Sequence, residues 1–310
     1  MAKTKENPIF AQLAAMYTSA GNEDIEKLIT GGVEMMEKNK EDEMPEYFAL
    51  LWELANFYRG LPNPEKATET YKKALSKMRD FHMEESQDFL MVYNAYGELL
   101  RQTGDYGAAS EIFAQALKIA ENNDKPNDQA ALLRSLSLVA RASGDLKKAA
   151  GYADREIALL RDGAGEANDL AAALSGAAII KHSLRDYDAA EALVNEAVKL
   201  FEGLEHVEAR HGAALSTFAA IRYIKGDLDG AREAYIKAAQ LIESFFGKNS
   251  QVISIYESIA KIYEAQGDTK TALTYLKPAF KASKGNLGAE HEQTRALKEN
   301  ITALKTRRFK

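Results

Sequence analysis

One short signature recurs along the chain at nearly constant spacing, and it restricts the fold more than any other feature. A Gly-Asp pair is followed, four residues after the acid, by an alanine: Gly104-Asp105 with Ala109, Gly144-Asp145 with Ala149, Gly226-Asp227 with Ala231, and Gly267-Asp268 with Ala272. Pro62-Asn63 with Ala67 and Arg185-Asp186 with Ala190 keep the same phase, so the six alanines are 42, 40, 41, 41 and 41 residues apart. One step earlier, Gly21-Asn22 is an eroded first copy. A period of this length, held over seven copies, is the mark of a repeat array in which each unit packs only on its neighbours.

Each part of the unit has a physical reason. Gly after an apolar periodic stretch stops a helix, because it enters the left-handed region cheaply. The Asn or Asp that follows accepts an orphan backbone N–H and starts the next helix. That residue is Asx in all seven copies: Asn22, Asn63, Asp105, Asp145, Asp186, Asp227 and Asp268. Before each turn apolar residues recur at helical spacing, as in Phe10-Leu13-Tyr17, Leu51-Leu54-Tyr58, Tyr93-Tyr96-Leu100 and Tyr256-Ile259-Tyr263. A small residue holds one fixed position beside them (Ala14, Ala55, Gly97, Ser137, Ala178, Ala219, Ala260), as close helix approach requires. After the turn a large residue stands between alanines: Ala67-Tyr71-Ala74, Ala109-Phe113-Ala116 and Ala231-Tyr235-Ala238.

These positions resemble the tetratricopeptide repeat, whose Trp/Leu-Leu-Gly/Ala-Tyr and Ala-Phe/Tyr-Ala pattern is matched by Leu51-Leu54-Ala55-Tyr58 and Ala67-Tyr71-Ala74. The resemblance runs over about residues 7 to 284, and the long period is similar to the kinesin-light-chain subtype, as is Phe246-Gly247-Lys248-Asn249-Ser250 ahead of a helix. It implies an all-α fold: a right-handed α-solenoid superhelix of about seven helix-turn-helix repeats plus a C-terminal capping helix. As one domain over residues 1–310, the repeats are expected at about 7–47, 48–89, 90–129, 130–170, 171–211, 212–252 and 253–288, with the cap at about 289–308. Leu297, Ile301 and Leu304 carry the apolar phase into that cap. Units four and five depart from the pattern at Ala153, Glu156, Ala177 and Lys181, which marks a looser joint as an expectation.

Composition narrows the function. A net charge of −6 argues against nucleic acid or an anionic membrane as partner, since both reward a basic surface. The basic residues within 305–310 suit the negative end of a last helix. No cysteine is present, which removes disulfides, thiol catalysis and thiolate metal sites. Residues 1–7 are polar and lack the apolar core of a signal peptide, and no window reaches the roughly 18 apolar residues of a membrane span, so a cytoplasmic chain is expected. His206 and His211 are five apart, off one helix face, and His82, His182 and His291 are isolated, so no metal site is expected. Gly163-Ala164-Gly165 and Gly31-Gly32 read as loop and helix-end glycines, not a phosphate cradle. No carboxylate pair is defensible as acid and base, so no catalytic residue and no cofactor are assigned.

In the family, the first helices of successive repeats line the concave side. Carried over position by position, the resemblance places there Trp52, Asn56 and Arg59; Asn94, Glu98 and Arg101; Arg134, Leu138 and Arg141; Ser175, Ile179 and His182; Ser216, Ala220 and Tyr223; and Glu257, Lys261 and Glu264. The peptide-binding candidates are Trp52, Asn56, Arg59, Asn94, Glu98, Arg101, Arg134, Arg141, His182 and Tyr223. Four arginines on one face of an acidic protein suit a carboxylate-bearing peptide or protein, since an arginine fork grips a carboxylate through two bonds. An internal pairing with Glu98 or Glu53 accounts for them equally well. Beyond unit four this face is smaller and more apolar, with Ala172, Ser175, Ile179, Ser216 and Ala220. The expected function is a protein- or peptide-binding scaffold or adaptor. The alternatives left open are a peptide-sensing regulator without its own effector domain, and a scaffold that self-assembles as a homo-oligomer through its terminal repeats.

Overall fold

The computed structural model describes residues 8–84, 86–206 and 209–307. Residues 1–7, the side chain of Phe10 and the end of the basic tail, 308–310, lie outside the described residues. Fifteen α-helices and no strand occur among the described residues, which gives the all-α repeat class that the spacing predicts. The chain divides into two compact units, Met1–Asp145 and Leu146–Lys310. The division falls inside the fourth repeat.

Unit 1 holds α1 (Pro8–Met16), α2 (Asn22–Lys38), α3 (Pro45–Arg59), α4 (Pro64–Asp80), α5 (Gln87–Gln102), α6 (Tyr106–Asn122) and α7 (Pro126–Ala142). First helices are odd-numbered and second helices even-numbered. Each packs on its sequence neighbour, and the first helices α5 and α7 also touch. Pro45, Pro64 and Pro126 open three of these helices, where the missing N–H costs nothing and φ is already helical.

The turn chemistry matches the sequence logic at most copies. Gly104 takes φ +84°, Asp105 N–H closes the turn onto Leu100 O at 2.9 Å, and the Asp105 carboxylate accepts from Ala108 N–H at 3.0 Å. Asn63, Asp186, Asp227 and Asp268 cap their helices in the same way. Asn22 does not. Gly21 is itself the cap residue in extended geometry (φ −78°, ψ 159°), so Asn22 is already helical and its side chain makes no capping bond. In the fifth repeat Arg185, not glycine, holds the left-handed position at φ 63°.

The small position brings paired helices together. A Cβ on Gly97 would lie 2.7 Å from two ring atoms of Phe113, a fully buried side chain of α6. Glutamates on second helices then tie in the following repeat. Glu26 of α2 accepts from the Tyr58 hydroxyl of α3 at 2.8 Å and from Lys66 of α4 at 2.7 Å, and Glu37 accepts from Tyr47 at 2.6 Å. Burial, with the bond to Glu26, pushes the Tyr58 hydroxyl up to about 12.

Unit 2 holds α8 (Leu146–Arg161), α9 (Ala167–Ser183), α10 (Tyr187–Glu202), α11 (Ala209–Ile224), α12 (Leu228–Phe246), α13 (Ser250–Ala265), α14 (Thr269–Leu287) and α15 (Glu292–Arg307). The same pairing recurs, and the first helices α9 and α11 touch. The departures from the pattern are absorbed in place: Ala153 and Ala177 are buried, Glu156 is buried and engaged, and Lys181 faces Asp154 at 3.8 Å. Leu297, Ile301 and Leu304 of α15 close the core formed with Ile253, Ala260 and Leu276, while the rest of α15 is mostly exposed and rich in charge. This is the terminal cap that the phase predicts.

Candidate functional site

In unit 1 the first-helix face is built at three corresponding positions along α3, α5 and α7. Arg59, Arg101 and Arg141 stand at one register near the C-terminal ends of these helices, where the negative helix dipole favours cations. Arg59 is exposed, whereas Arg101 and Arg141 are half-buried. Arg101 grips Glu98 with both arms of its guanidinium: Nε donates to Oε2 at 2.8 Å and Nη2 to Oε1 at 2.5 Å. That fork holds the Glu98 carboxyl below the usual carboxylate range, against burial that raises it, and the Gln102 amide and the nearby Arg59 charge lower it further. Arg134, two helical turns before Arg141 on α7, is half-buried and already engaged.

Two of the polar and aromatic candidates do structural duty. Asn56 Oδ1 accepts from the Tyr71 hydroxyl at 3.0 Å, and Trp52 meets the Tyr71 ring edge to face at 6.3 Å. The indole also lines an apolar pocket of about 140 Å³ with Phe48, Met78, Met83, Met91 and Val92. Asn94 is exposed and borders a neighbouring pocket with Gln87, Asp128 and Leu132. Glu53 accepts from the hydroxyl of Tyr17, just past the end of α1, at 2.5 Å.

In unit 2 the corresponding face has a different character. A cavity of about 250 Å³ is lined by Ile179 and His182 of α9, Ser216, Thr217 and Ala220 of α11, Tyr235 of α12, and residues of α13 including Ser254 and Ser258. His182 packs edge to face with Tyr187 at 5.7 Å. Tyr223, at the register of Arg59 and His182, is exposed.

The tetratricopeptide repeat family model matches residues 46–122, 88–162 and 211–303, well over half of the chain. The chain belongs to the tetratricopeptide repeat family. Proteins of this family are generally non-enzymatic scaffolds that bind protein partners. BtubC (BKLC) from P. vanneervenii is similar in structure, with a TM-score of 0.63 at 18% identity over 74% of this chain and 93% of that one. The nearly identical kinesin-light-chain TPR-like repeats from Podosopora anserina give a TM-score of 0.52 at 15% identity over 64% and 96%. A Signal Transduction ATPase with Numerous Domains from Pyrococcus horikoshii, which carries a tetratricopeptide repeat sensor, gives 0.66 at 16% identity over 99% of this chain and 47% of that one. At these identities the likeness is one of fold. Comparison with curated protein sequences finds no match.

Within this repeat framework the ten sequence candidates divide between the two units. Trp52, Asn56, Arg59, Asn94, Glu98, Arg101, Arg134 and Arg141 belong to unit 1, and His182 and Tyr223 to unit 2. Reasoning by register finds Ile179, His182, Ser216 and Ala220 at one cavity, but it passes over Thr217, Ser254, Ser258 and Tyr235. Ser254 lies three residues before Glu257, the first face position named in the seventh repeat; Ser258, four residues on, is one turn further along the same helix. Among the described residues no helix is long and apolar enough to cross a membrane, and no cluster of three His, Asp or Glu residues is arranged to hold a metal.

Proposed function

We propose that this tetratricopeptide repeat protein is a peptide-binding scaffold whose unit 1 first-helix face receives an acidic or carboxylate-bearing segment of a partner. The observation that carries this reading is the common register of Arg59, Arg101 and Arg141 on α3, α5 and α7, with the one carboxylate among them, Glu98, already held by Arg101. Arg59 is exposed at the surface, and Arg141 is only half-buried. A charge-assisted bond to arginine contributes about 1.5–3 kcal/mol, so a few of them bring a peptide to micromolar affinity, about −8 kcal/mol.

The test is a paired charge reversal, Arg59→Glu with Arg141→Glu, which spares the Arg101–Glu98 pair and the engaged Arg134. Anisotropy of a labelled, capped glutamate-rich hexapeptide is the readout, alongside affinity capture from native extract. The reversal is expected to weaken binding by about ten-fold or more and to remove its salt dependence. Unchanged affinity removes the arginine register from the function.

A further inference from the structure

The charge of the chain is unevenly spread. Within a net −6, α14 carries Lys270, Lys277, Lys281 and Lys284 and no acidic residue from Thr269 to Leu287. At 3.6 residues per turn the four lysines fall within about 60° of one another around the helix, and all four are exposed. Among the described residues none of them makes an ion pair, and the carboxylate of Asp268, beside Lys270, accepts the Thr271 N–H as the helix cap. One period earlier the same register on α12 holds Asp229, Ile236, Gln240 and Glu243, and on α10 Asp188, Asn195, Lys199 and Glu202. The stripe therefore belongs to this repeat and not to the fold. The helix dipole favours Lys284 but opposes Lys270 in the first turn. Lys277 and Lys281 also repel at i, i+4, as do Lys281 and Lys284 at i, i+3. An anionic counterpart relieves both effects.

The C-terminal ends of α12 and α14 add exposed apolar side chains. Phe246 is 62% exposed, Phe245 48% and Leu287 41%. Phe246 and Leu287 are one period apart, and Asn286 Nδ2 donates to Lys248 O at 2.8 Å, which ties the two helix ends into one tip. Glu243 at this tip is held by Lys248 at 3.3 Å and by the Tyr256 hydroxyl at 2.7 Å. Glu290 and Glu292, exposed past the end of α14, are matched in number by the exposed Arg295 and Lys298 of α15.

The pairing of stripe and tip selects the partner. A nucleic acid would meet the lysines but leave both phenylalanines and Leu287 in water. An acidic peptide is gripped best by arginine forks, and the stripe has none. An anionic bilayer uses both parts, because its headgroups face point charges without fixed geometry and its acyl boundary takes Phe and Leu. The acidity of the rest of the chain is screened beyond about 8–10 Å, so the local field decides. We propose that the lysine stripe of α14 and the apolar tip of α12 and α14 dock the protein peripherally on an anionic membrane surface. The inference is independent of the arginine face of unit 1, and each stands if the other fails.

The test is flotation of full-length protein with vesicles of phosphatidylcholine alone and of phosphatidylcholine with about one-third phosphatidylserine. Partition into the anionic vesicles is expected to be at least about thirty-fold stronger at about 0.1 M salt and to fall as salt rises. Lys277→Glu with Lys281→Glu is expected to lower it at least about ten-fold, and Phe246→Ser about three- to ten-fold. These side chains are exposed, so circular dichroism is expected to be unchanged. Phe246→Trp is expected to show a blue-shifted emission on the anionic vesicles that the wild type lacks. The Arg59→Glu, Arg141→Glu variant is expected to bind these vesicles as the wild type does; its failure to do so would move the surface to unit 1 and overturn the assignment. Absence of flotation, or equal partition into neutral vesicles, overturns the proposal. So does binding of a 20-base-pair DNA duplex as tight as that of the vesicles, with the emission of Phe246→Trp unmoved by either.

Discussion

Arg101 and Glu98 form a two-armed ion pair three residues apart on one helix, at 2.8 and 2.5 Å, in the middle of the face that is proposed to bind an acidic partner. The pair makes Glu98 an internal competitor for the arginine. Glu98→Gln removes the competing charge while keeping the side-chain length, and it frees the guanidinium for a ligand. Affinity for the acidic hexapeptide is expected to rise about three- to ten-fold, roughly 0.6–1.4 kcal/mol, with the fold unchanged by circular dichroism. A fall in affinity would place Glu98 among the ligand's own contacts.

Two glycines in helix interiors are expected to respond in opposite directions to the same substitution. A Cβ at Gly97 meets the Phe113 ring at 2.7 Å, and that ring is fully enclosed, so α5 and α6 have to separate. The overpacking exceeds the gain in helix propensity, and Gly97→Ala is expected to destabilise by about 1–2 kcal/mol. A Cβ at Gly151, on α8, has nothing within 4 Å, so Gly151→Ala is expected to stabilise by about 0.5–1 kcal/mol. Denaturant midpoints of both variants check the pair.

The fifth repeat stores strain where its counterparts do not. Arg185 sits at φ 63°, in the position that Gly104, Gly226 and Gly267 hold at φ 80–86° in other repeats. A side chain in this region costs about 1–2 kcal/mol, part of which glycine returns through its freer unfolded chain. Arg185→Gly is expected to raise stability by about 0.5–1 kcal/mol, read as a higher thermal midpoint.

How far these features could be read from the chain depends on how local their causes are. Gly104-Asp105 declares a left-handed stop and a cap within two residues, and the structure shows both. The same reasoning carried to Gly21-Asn22 fails by one residue, because Gly21 stays extended and starts the helix itself. The Arg101–Glu98 pair was open to sequence reasoning as an i, i+3 contact. By contrast, the Asn56–Tyr71 bond joins two helices through one rotamer choice, and spacing does not report it. The serines of α13 carry no motif; they join a cavity only once α9 and α11 bring His182 and Thr217 beside them.

Acid is expected to loosen unit 2 through His211. Its ring stacks on Phe201 at 5.6 Å, its Nε2 is buried without a partner, and burial pushes its pKa below the usual value of about 6.5, with Glu202 opposing. The unfolded chain then takes up the proton more readily than the folded one, so this contribution to stability is complete above about pH 6.5 and declines as pH falls toward the folded pKa. Denaturant midpoints are expected to drop between about pH 7.5 and 5.5 in the wild type and to drop less in His211→Gln. An equal drop in both would assign the acid sensitivity to other groups.

Trp52 is the chain's one tryptophan, and it lies seven residues before Arg59 on α3, two helical turns away on the same face. Its emission therefore reports directly on whether that face receives a ligand. The decisive measurement is a fluorescence titration of the wild-type protein with the capped glutamate-rich hexapeptide and with a lysine-rich peptide of equal length. A saturable change in Trp52 emission with the acidic peptide alone, abolished by the Arg59→Glu, Arg141→Glu double variant, is the predicted result. An emission unmoved by the acidic peptide, or moved equally by the basic one, would contradict it.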